Sequence, residues 1–426
     1  MLTIEGQIIN DNRTFRGRVE IGDDGIITKV SEPTGASDIV LDEELLFPGF
    51  VDLHVHAREC ADHSQDYKED FTTAGEAAIN GGVTAFMDMP NNSVPPIDVS
   101  SYEEKKQLVK KAAVEIVLYA AMTPNSAPLS FPVPYKAFTT KSVGDTFFSS
   151  LADLEKAAEK YANQSVSFHC EDPEIIRANQ DEPTHSKQRP AEAEILAIDF
   201  VLKLIEKYHI QGKICHLSTR RGLEKIVEAR NKGVNVTCEV TPHHLYFDES
   251  SSFQMNPVRS HSQEAETADA PKAHPTSNRV NPPLRLREDR LALITSLKNG
   301  EIDYLATDHA PHTRAEREKG ISGLPLLDTY GPFTSWLMAE HKFTPQDIAR
   351  VCSFNPGKFI NQFASYKFGR IEPGFIGSLT VIDMRNPVKI DKTMLKTKCH
   401  WSPFEGVRFP GRVKFTIVKG KICKET

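Results

Sequence analysis

Short apolar runs alternate with helical patterns through the middle of this chain, and no other feature of the sequence limits the possible fold as strongly. Repeated units of a strand followed by a helix are typical of a parallel sheet. Eight such runs are present, which predicts an α/β fold with a (β/α)8 barrel of the TIM type. The predicted strands span residues 49–55, 83–88, 114–120, 133–138, 165–169, 213–217, 234–240 and 302–307, and the predicted helices include 102–113, 151–162, 190–208, 220–232 and 287–299.

The two ends of the chain have a different residue pattern from the middle. Residues 1–46 and 368–426 alternate apolar and polar positions between Gly-containing turns, which is typical of short antiparallel strands. The length of 426 residues leaves room for one large domain and one small one. We therefore predict a small β-sandwich built from both ends of the chain, with the barrel, residues 47–367, inserted between them.

One segment interrupts the alternation of strands and helices. Residues 254–278 are polar, contain prolines and lack periodicity, so we expect a mobile surface loop there. His261 and His274 lie within this segment and are therefore predicted to be solvent-exposed residues and not metal ligands.

The composition excludes several classes of protein. Hydrophobic residues at 39% and charged residues at 26% are ordinary for a globular domain with a sizeable core. The net charge of −7 argues against a general nucleic-acid or anionic-membrane surface. The seven scattered cysteines form neither a disulfide framework nor a Cys-x-x-Cys site, which indicates reduced thiols. With no leader pattern and no long apolar run, the sequence predicts a cytoplasmic protein that does not span a membrane.

Candidate metal ligands begin at the end of the first predicted strand, in the stretch PGFVDLHVHAREC, residues 48–60. His54 and His56 occupy alternate positions, so both imidazoles leave the same face of the strand and can bind one metal ion. A His-x-His pair alone fits a strand end without a ligand about as well. The rest of the chain has to decide between these two interpretations.

Four further predicted strand ends carry side chains that can bind a metal. In barrels of this type the chemistry takes place at the carboxyl ends of the strands. A single histidine at such a place is more often a hydrogen-bonded structural residue. Four candidates at the same topological position, together with the His-x-His pair, indicate one shared site. These candidates are Lys136, His169, His216 and Asp308.

The motifs at these strand ends resemble those of the cyclic amidohydrolases of the urease-related superfamily, and among them most closely the dihydroorotases. The resemblance implies a hydrolase of cyclic amides that reversibly closes N-carbamoyl-L-aspartate to L-dihydroorotate in pyrimidine biosynthesis. A hydantoinase, dihydropyrimidinase or allantoinase stays open as an alternative, as does a non-catalytic scaffolding relative. The matching stretches run nearly end to end: PGFVDLHVHAR, GGVTAFMDMPN, PYKAF, FHCEDP, CHLS, EVTPHHL, RVNPPLR, ATDHAPH and SPFEGVRF.

The resemblance also implies two Zn²⁺ ions bridged by a hydroxide and by an N6-carboxylated lysine, which matches Lys136. A lysine between two cations cannot remain an ammonium, whereas its carbamate offers one oxygen to each metal. Asp308 would accept the proton of the attacking water and return it to the leaving nitrogen. The implied ligands are His54, His56 and Asp308 for the first ion, His169 and His216 for the second, and Lys136 for both.

Substrate selection follows from the same resemblance. The ring carboxylate of dihydroorotate favours a guanidinium partner, and Arg58 stands where the family has its substrate arginine. A salt bridge between Arg58 and a neighbouring carboxylate at the rim is the alternative. The other implied contacts are Asn91 and His312 for the carboxylate and Asn281 for the ring.

The chain departs from the family just after the His-x-His pair. The family continues Leu-Arg-Glu-Pro-Gly, whereas Ala57 replaces the leucine and Cys60 begins the pair that replaces Pro-Gly. The ligands are unaffected, but the shape of the loop beside Arg58 stays open. The strand alternation also predicts that Cys170 and Cys215, next to ligand histidines, point to the opposite face and pack in the core.

Two further expectations concern motion and assembly. The stretch after Lys136 is rich in Thr, Ser and Gly, and we expect Thr139 and Thr140 to belong to a lid over the substrate. The family often forms homodimers, so the resemblance favours a homodimer. It leaves association with other enzymes of the pyrimidine pathway open.

Overall fold

A computed structural model of the chain describes residues 1–253 and 279–425. The strands in chain order are β1 (Leu2–Ile9), β2 (Thr14–Ile21), β3 (Ile27–Ser31), β4 (Ile39–Pro48), β5 (Phe50–Val55), β6 (Val83–Asp88), β7 (Glu115–Leu118), β8 (Ala120–Met122), β9 (Tyr135–Phe138), β10 (Ser165–His169), β11 (Gln211–Ile214), β12 (Val236–Val240), β13 (Tyr304–Leu305), β14 (Leu379–Asp383), β15 (Val388–Lys389), β16 (Arg408–Phe409), β17 (Arg412–Val418) and β18 (Lys421–Glu425).

Thirteen α-helices are present in the two described ranges. Among the helices of the two described ranges, none combines the length and the apolar character needed to cross a bilayer. The α-helices are α1 (Phe71–Asn80), α2 (Val99–Leu108), α3 (Leu151–Ala158), α4 (Pro173–Ala178), α5 (His185–Gln188), α6 (Ala191–Tyr208), α7 (Arg220–Asn231), α8 (Pro242–Tyr246), α9 (Arg287–Asn299), α10 (Arg314–Glu318), α11 (Tyr330–His341), α12 (Pro345–Ala349) and α13 (Asn355–Ile360).

Eight parallel strands form the barrel. Strands β5, β6 and β7 pair in sequence, β8 continues β7 after Tyr119, and β8 to β13 pair in turn. A parallel bridge between Val55 and His309 joins the last strand to the first and closes the ring. Each of the eight predicted strands overlaps an observed one, so the predicted barrel is confirmed. The expectations for residues 254–278, with His261 and His274, lie outside the described residues.

The strands of the barrel are buried on both faces, as parallel strands covered by helices must be. Every residue of β5 and β6 is buried. Their apolar side chains divide between two core clusters, one of which contains Leu53, Met87 and Phe359 of α13. The barrel wall is therefore rigidly packed on either side, and this packing fixes the direction in which the strand ends present their polar side chains.

A seven-stranded sheet combines both ends of the chain in the order β18-β17-β14-β4-β1-β2-β3. Strand β14 pairs antiparallel with β4, and Leu379 lies opposite Pro48. This pairing confirms the prediction that the two ends form one β-structure. The proposed boundaries at residues 46 and 368 stay predictions.

The passage from this sheet into the barrel depends on a single glycine. Strand β4 ends at Pro48 and β5 begins at Phe50, so only Gly49 lies between them. A Cβ atom on Gly49 would lie 2.1 Å from Oγ1 of Thr84 in β6. Any larger residue would push β5 away from β6, and the strand that carries the His-x-His pair would shift with it.

Glu44 ties β4 to the C-terminal strands. Lys414 Nζ donates to Glu44 Oε1 at 2.7 Å, and Arg385 Nη2 donates to the same oxygen at 3.0 Å. Burial alone would raise the pKa of Glu44, but the bond from Lys414 and nearby backbone N–H groups lower the pKa from 4.5 to about 2. Because the folded-state pKa is depressed, the stabilisation is present above pH 4.5 and is lost as the pH falls toward 2.

We expect Glu44→Gln to lower the free energy of unfolding at pH 7 by about 1–3 kcal/mol, the range for hydrogen bonds to charged groups. The difference from the wild type should shrink steadily between pH 4.5 and 2, as measured by urea unfolding. Glu43→Gln is the control, because the Glu43 side chain is largely exposed. A difference that stays constant with pH would contradict the assigned role of Glu44.

Candidate metal centre and substrate cavity

The predicted ligands meet at the carboxyl ends of the barrel strands. Ligand atoms of His54, His216 and Asp308 all lie within 4.8 Å of one another. Nε2 of His54 lies 3.2 Å from Asp308 Oδ1, and Nε2 of His56 lies 3.0 Å from the same oxygen. The structure therefore brings the His-x-His pair and the aspartate of the last strand to one point.

His169 and His216 form a second pair beside the first. Nδ1 of His169 lies 3.0 Å from Nε2 of His216, so the two imidazoles face each other. The ring of His216 is 5.2 Å from that of His54, measured between centroids. Nδ1 of His216 is buried and has no hydrogen-bond partner among the described residues. Four imidazoles and one carboxylate are thus clustered in one buried space.

The surroundings of these four histidines favour the neutral, metal-binding form. Burial lowers the pKa of His54, His56, His169 and His216 below the usual value, and nearby cationic groups lower it further. A neutral imidazole has a free lone pair and is the ligating form. Neutral imidazole nitrogens with a carboxylate oxygen are a donor set that fits zinc and similar divalent ions.

Lys136 lies at the base of the same site. Its side chain is fully buried, and Nζ lies 2.8 Å from Sγ of Cys215. Among the residues that the structure describes, no ion pair to Lys136 is formed. Burial raises the pKa of the nearby Asp308 carboxyl to about 7, and the positive charge of Lys136 partly opposes this rise. An unpaired ammonium buried among metal-binding side chains is unfavourable unless its charge is removed or compensated.

The prediction for Cys215 is confirmed in part. Cys215 packs in an apolar core cluster as expected, but it does not point away from the ligands, because its Sγ lies 2.8 Å from Nζ of Lys136. Strand β11 ends at Ile214, and His216 has a φ of 36°, in the left-handed region. This change of backbone direction breaks the two-residue alternation on which the prediction rested. As a result, His216 lines the cavity and Cys215 lies behind it, next to Lys136.

Backbone strain is concentrated at the predicted site residues. Arg58, His216 and Asp308 have φ values of 66°, 36° and 49°. Residues other than glycine rarely adopt this region, and they persist there only when the surrounding structure holds them. Strain at three strand ends that meet in one cavity is typical of a functional site.

The second nitrogen of each of three histidines bonds to an oxygen acceptor. Glu239 accepts from Nδ1 of His54. Glu171 Oε2 lies 2.9 Å from Nε2 of His169, and Asn91 Oδ1 lies 2.6 Å from Nδ1 of His56. Such acceptors fix the tautomer and the orientation of a metal-binding imidazole.

Sequence reasoning missed the two glutamates. Both stand inside matched motifs, Glu171 in FHCEDP and Glu239 in EVTPHHL. Arg189 supports Glu171 through Nε, which donates to Oε1 at 3.0 Å. For Glu171, the available signal was an acidic residue two positions after the candidate ligand His169. The bond between Asn91 and His56 gives Asn91 a role in orienting a ligand besides the predicted substrate contact.

A cavity of about 600 Å³ opens onto this site. It contains all four predicted substrate contacts and four of the six predicted ligands, whereas His54 and Lys136 are outside its wall. A pocket of this size readily holds a small cyclic amide. The site residues in its wall are His56, Arg58, Asn91, His169, His216, Asn281, Asp308 and His312.

Arg58 is buried in the cavity wall beside His312. Its Nη2 donates to Nε2 of His312 at 3.2 Å, and its Nε donates to the carbonyl of Pro311 at 3.3 Å. Burial and the charge of Arg58 lower the pKa of His312 to about 2, so this imidazole is neutral and can accept the bond. The alternative rim salt bridge is not formed within residues 1–253 and 279–425, and the neighbouring Glu59 pairs with Lys111 instead.

The expectation of a lid at Thr139 and Thr140 needs correction. Both side chains are buried. Oγ1 of Thr139 lies 2.8 Å and 2.7 Å from the carbonyl oxygens of His169 and Glu171, and Oγ1 of Thr140 lies 3.2 Å from Nε2 of His169. The two threonines therefore hold the end of β10 in place, and Thr140 also lines the cavity.

Comparisons with known sequences identify the family of the chain. A profile of the Amidohydrolase family matches residues 45–423. A protein of Pyrococcus furiosus named dihydroorotase is 32% identical, and the alignment covers 100% of this chain and 92% of that protein. A dihydroorotase of Thermococcus kodakarensis is also 32% identical, with 100% and 94% covered. The resemblance predicted from the motifs is confirmed.

Solved structures show the same fold at lower sequence identity. The L-hydantoinase (dihydropyrimidinase) from Arthrobacter aurescens superposes with a TM-score of 0.86 and 22% identity, covering 100% of this chain and 96% of that one. A D-hydantoinase superposes with a TM-score of 0.83 and 19% identity, covering 100% and 95%. At these identities the likeness supports the barrel with its terminal β-sandwich, and it leaves substrate choice to the site itself.

Proposed function

Because the chain belongs to the amidohydrolase family and is a hydrolase acting on cyclic amides, we propose that it is a dihydroorotase. The reaction is the reversible closure of N-carbamoyl-L-aspartate to L-dihydroorotate, with loss of water, in pyrimidine biosynthesis. The observation that carries this proposal is a buried arginine, Arg58, in the wall of the cavity that contains the metal-binding side chains.

A buried guanidinium without a carboxylate partner favours an anionic ligand, because an uncompensated charge in a protein interior is costly. Arg58 has no ion pair among the described residues, and its partner His312 is neutral. A ring carboxylate would give the guanidinium an anionic partner within hydrogen-bond distance, in addition to the longer-range charges of Asp308, Asp88 and Glu316. Hydantoin and dihydrouracil have no such group, so a hydantoinase would leave Arg58 without a directly bonded anion.

The proposed centre would hold two Zn²⁺ ions. His54, His56 and Asp308 would bind one, and His169 and His216 the other. When bound, such ions polarise an amide carbonyl and lower the pKa of water toward neutrality. Lys136 would serve as a further ligand in the form of a carbamate: its ammonium first loses one proton, and addition of CO2 to the resulting amine releases a second, which leaves an anionic group.

The protein's own residues then orient the ring and move the proton. In the hydrolytic direction, Asp308 takes the proton of the attacking water and returns it to the ring nitrogen as the C–N bond breaks. In the direction of ring closure, Asp308 takes the proton of the ureido nitrogen as that bond forms. It returns this proton to the carboxylate oxygen that leaves as hydroxide when the C–O bond breaks, and a proton from solution completes the water. Arg58, His312 and Asn91 hold the carboxylate, and Asn281 contacts the ring. We also propose that the protein is a cytoplasmic homodimer. Association with other enzymes of the pathway stays open.

A panel of four rings tests the choice of substrate. We expect the purified protein to hydrolyse dihydroorotate in preference to hydantoin, dihydrouracil and allantoin. We expect Arg58→Lys, which keeps the charge but loses the fork, to lower kcat/KM for dihydroorotate by about 100-fold, the worth of one or two charge-assisted hydrogen bonds. Activity toward an uncharged ring should change little, and this comparison serves as the control within the same variant.

Two outcomes would contradict the proposal. A wild-type preference for an uncharged ring would indicate a hydantoinase-like enzyme and remove the proposed role of Arg58. Absence of activity on every ring, with metal bound, would favour the scaffolding alternative.

A further inference from the structure

A second cluster of potential ligands lies behind the proposed metal centre. Ligand atoms of His54, Cys215 and Glu239 all lie within 4.8 Å of one another, and all three residues are buried. A thiol, an imidazole and a carboxylate together are a donor set for a divalent ion such as zinc or cadmium. This cluster shares only His54 with the proposed centre.

Two lysines lie at this cluster. Lys136, whose Nζ is 2.8 Å from Sγ of Cys215, would become an anionic carbamate under the proposed function, whereas Lys213 remains a cation. Lys213 of β11 is fully buried, and its Nζ donates to Oε2 of Glu239. The same ammonium lies 5.6 Å from the ring centroid of Tyr119 and 5.7 Å from that of Phe359. A carboxylate and two aromatic rings stabilise a desolvated ammonium, so Lys213 has the surroundings of a permanent internal cation.

Glu239 connects this cation to the proposed metal centre. Its Oε1 accepts from Nδ1 of His54 and, at 3.2 Å, from the backbone N–H of His216. Its Oε2 accepts from Lys213. With Nδ1 held in this way, Nε2 of His54 faces Asp308 at 3.2 Å. The orientation of His54 therefore depends on a carboxylate whose other oxygen is held by Lys213.

We propose that Lys213 is the resident cation of the His54–Cys215–Glu239 cluster and a positioning residue for His54. Its ammonium keeps a further divalent ion out of the cluster, so Nδ1 of His54 stays bonded to Glu239 and Nε2 stays available to the metal centre. The positioning role rests on the proposed function, because it takes His54 as a metal ligand. The exclusion of a further ion rests on the cluster alone.

Simple electrostatics supports the exclusion. A divalent ion bound by Glu239 would lie close to the Lys213 ammonium, and like charges repel strongly where no water screens them. Removal of the Lys213 ammonium makes binding of a divalent ion favourable, because Glu239 is then a buried carboxylate without the ammonium that pairs with it. A divalent ion that binds His54, Cys215 and Glu239 would restore the balance.

Cadmium titration of the zinc-loaded protein tests the proposal. Bound metal is counted by native mass spectrometry, and a cadmium–thiolate absorption band reports binding at a cysteine. The wild type should gain no cadmium at Cys215, whereas Lys213→Met should gain one equivalent together with the band. The double variant Lys213→Met/Cys215→Ala should lose both signals, which separates Cys215 from the other cysteines. Lys213→Arg, which keeps a cation, should behave as the wild type.

Either of two results would overturn the proposal. One is a cadmium–thiolate band in the wild type that disappears in Cys215→Ala, since the cluster would then accept an ion beside Lys213. The other is a folded Lys213→Met variant that gains no ion, with Lys213→Gln used in its place if the methionine variant does not fold. A wild type that binds no zinc at all would instead contradict the proposed function, while the gain of cadmium in Lys213→Met would still report on the cluster.

Discussion

Lys136→Ala is expected to lower kcat for dihydroorotate by on the order of 10³-fold or more, because it removes the group proposed to bridge the two metals. The Lys136 side chain is fully buried at the carboxyl end of the barrel and has no carboxylate partner among the described residues. We expect the wild type to contain two zinc ions and the mass of one added CO2. The variant should lack the CO2 and retain at most one ion, as measured by metal analysis and native mass spectrometry.

Lys141→Ala is the matched control, since Lys141 lies five residues further along the same stretch and is exposed. Its metal content and its CO2 adduct should equal those of the wild type. One metal and no CO2 in the wild type would show that Lys136 is not a bridge. A mononuclear amidohydrolase would then become the better description of the site.

Asp308→Asn is expected to lower kcat by about 10²–10⁴-fold, the usual contribution of a positioned general acid or base. Asparagine has nearly the same size and keeps an oxygen near His54 and His56, but it cannot accept and return the proton. Asp308 is buried and is the carboxylate whose oxygen groups with the ring nitrogens of His54 and His216. The measurement is kcat at saturating dihydroorotate, compared at equal zinc content.

Equal zinc content separates the two roles assigned to Asp308. If the variant loses zinc in proportion to its activity, the aspartate acts mainly as a ligand. If it keeps zinc and loses turnover, the proton transfer is supported. Full activity with zinc retained would remove Asp308 from the mechanism. Asp62→Asn, in the surface loop after Arg58, is the control and should change neither quantity.

Much of the fold was contained in local sequence patterns. The alternation of apolar runs and helical patterns predicted the eight strands of the barrel, and the texture of both ends predicted their shared sheet. These patterns are readable because the periods of strands and helices are properties of neighbouring residues. Helix α1 was not predicted, since its sequence FTTAGEAAIN combines threonines and a glycine with a short apolar stripe.

The residues of the candidate site could be predicted from the sequence for a related reason. In a parallel barrel all strands end on one face, so six residues at five strand ends can be assigned to one site without knowledge of their distances. His54, His56 and Asp308 illustrate this, because the structure places their ligand atoms together although the aspartate is more than 250 residues away.

Only the tertiary structure decided how these ligands are held. Glu239 lies 185 positions from His54 in the chain and reaches it because closure of the barrel leaves only β13 between β12 and β5. Cys215 lies beside Lys136 because the backbone at His216 enters the left-handed region, a conformation that the alternation of a regular strand does not predict. The sequence alone determined which strands carry the chemistry, since that follows from local periodicity. Which side chains meet across the barrel, and which bonds orient them, depends on closure of the ring and on strained turns, both of which arise only from the packing of the whole fold.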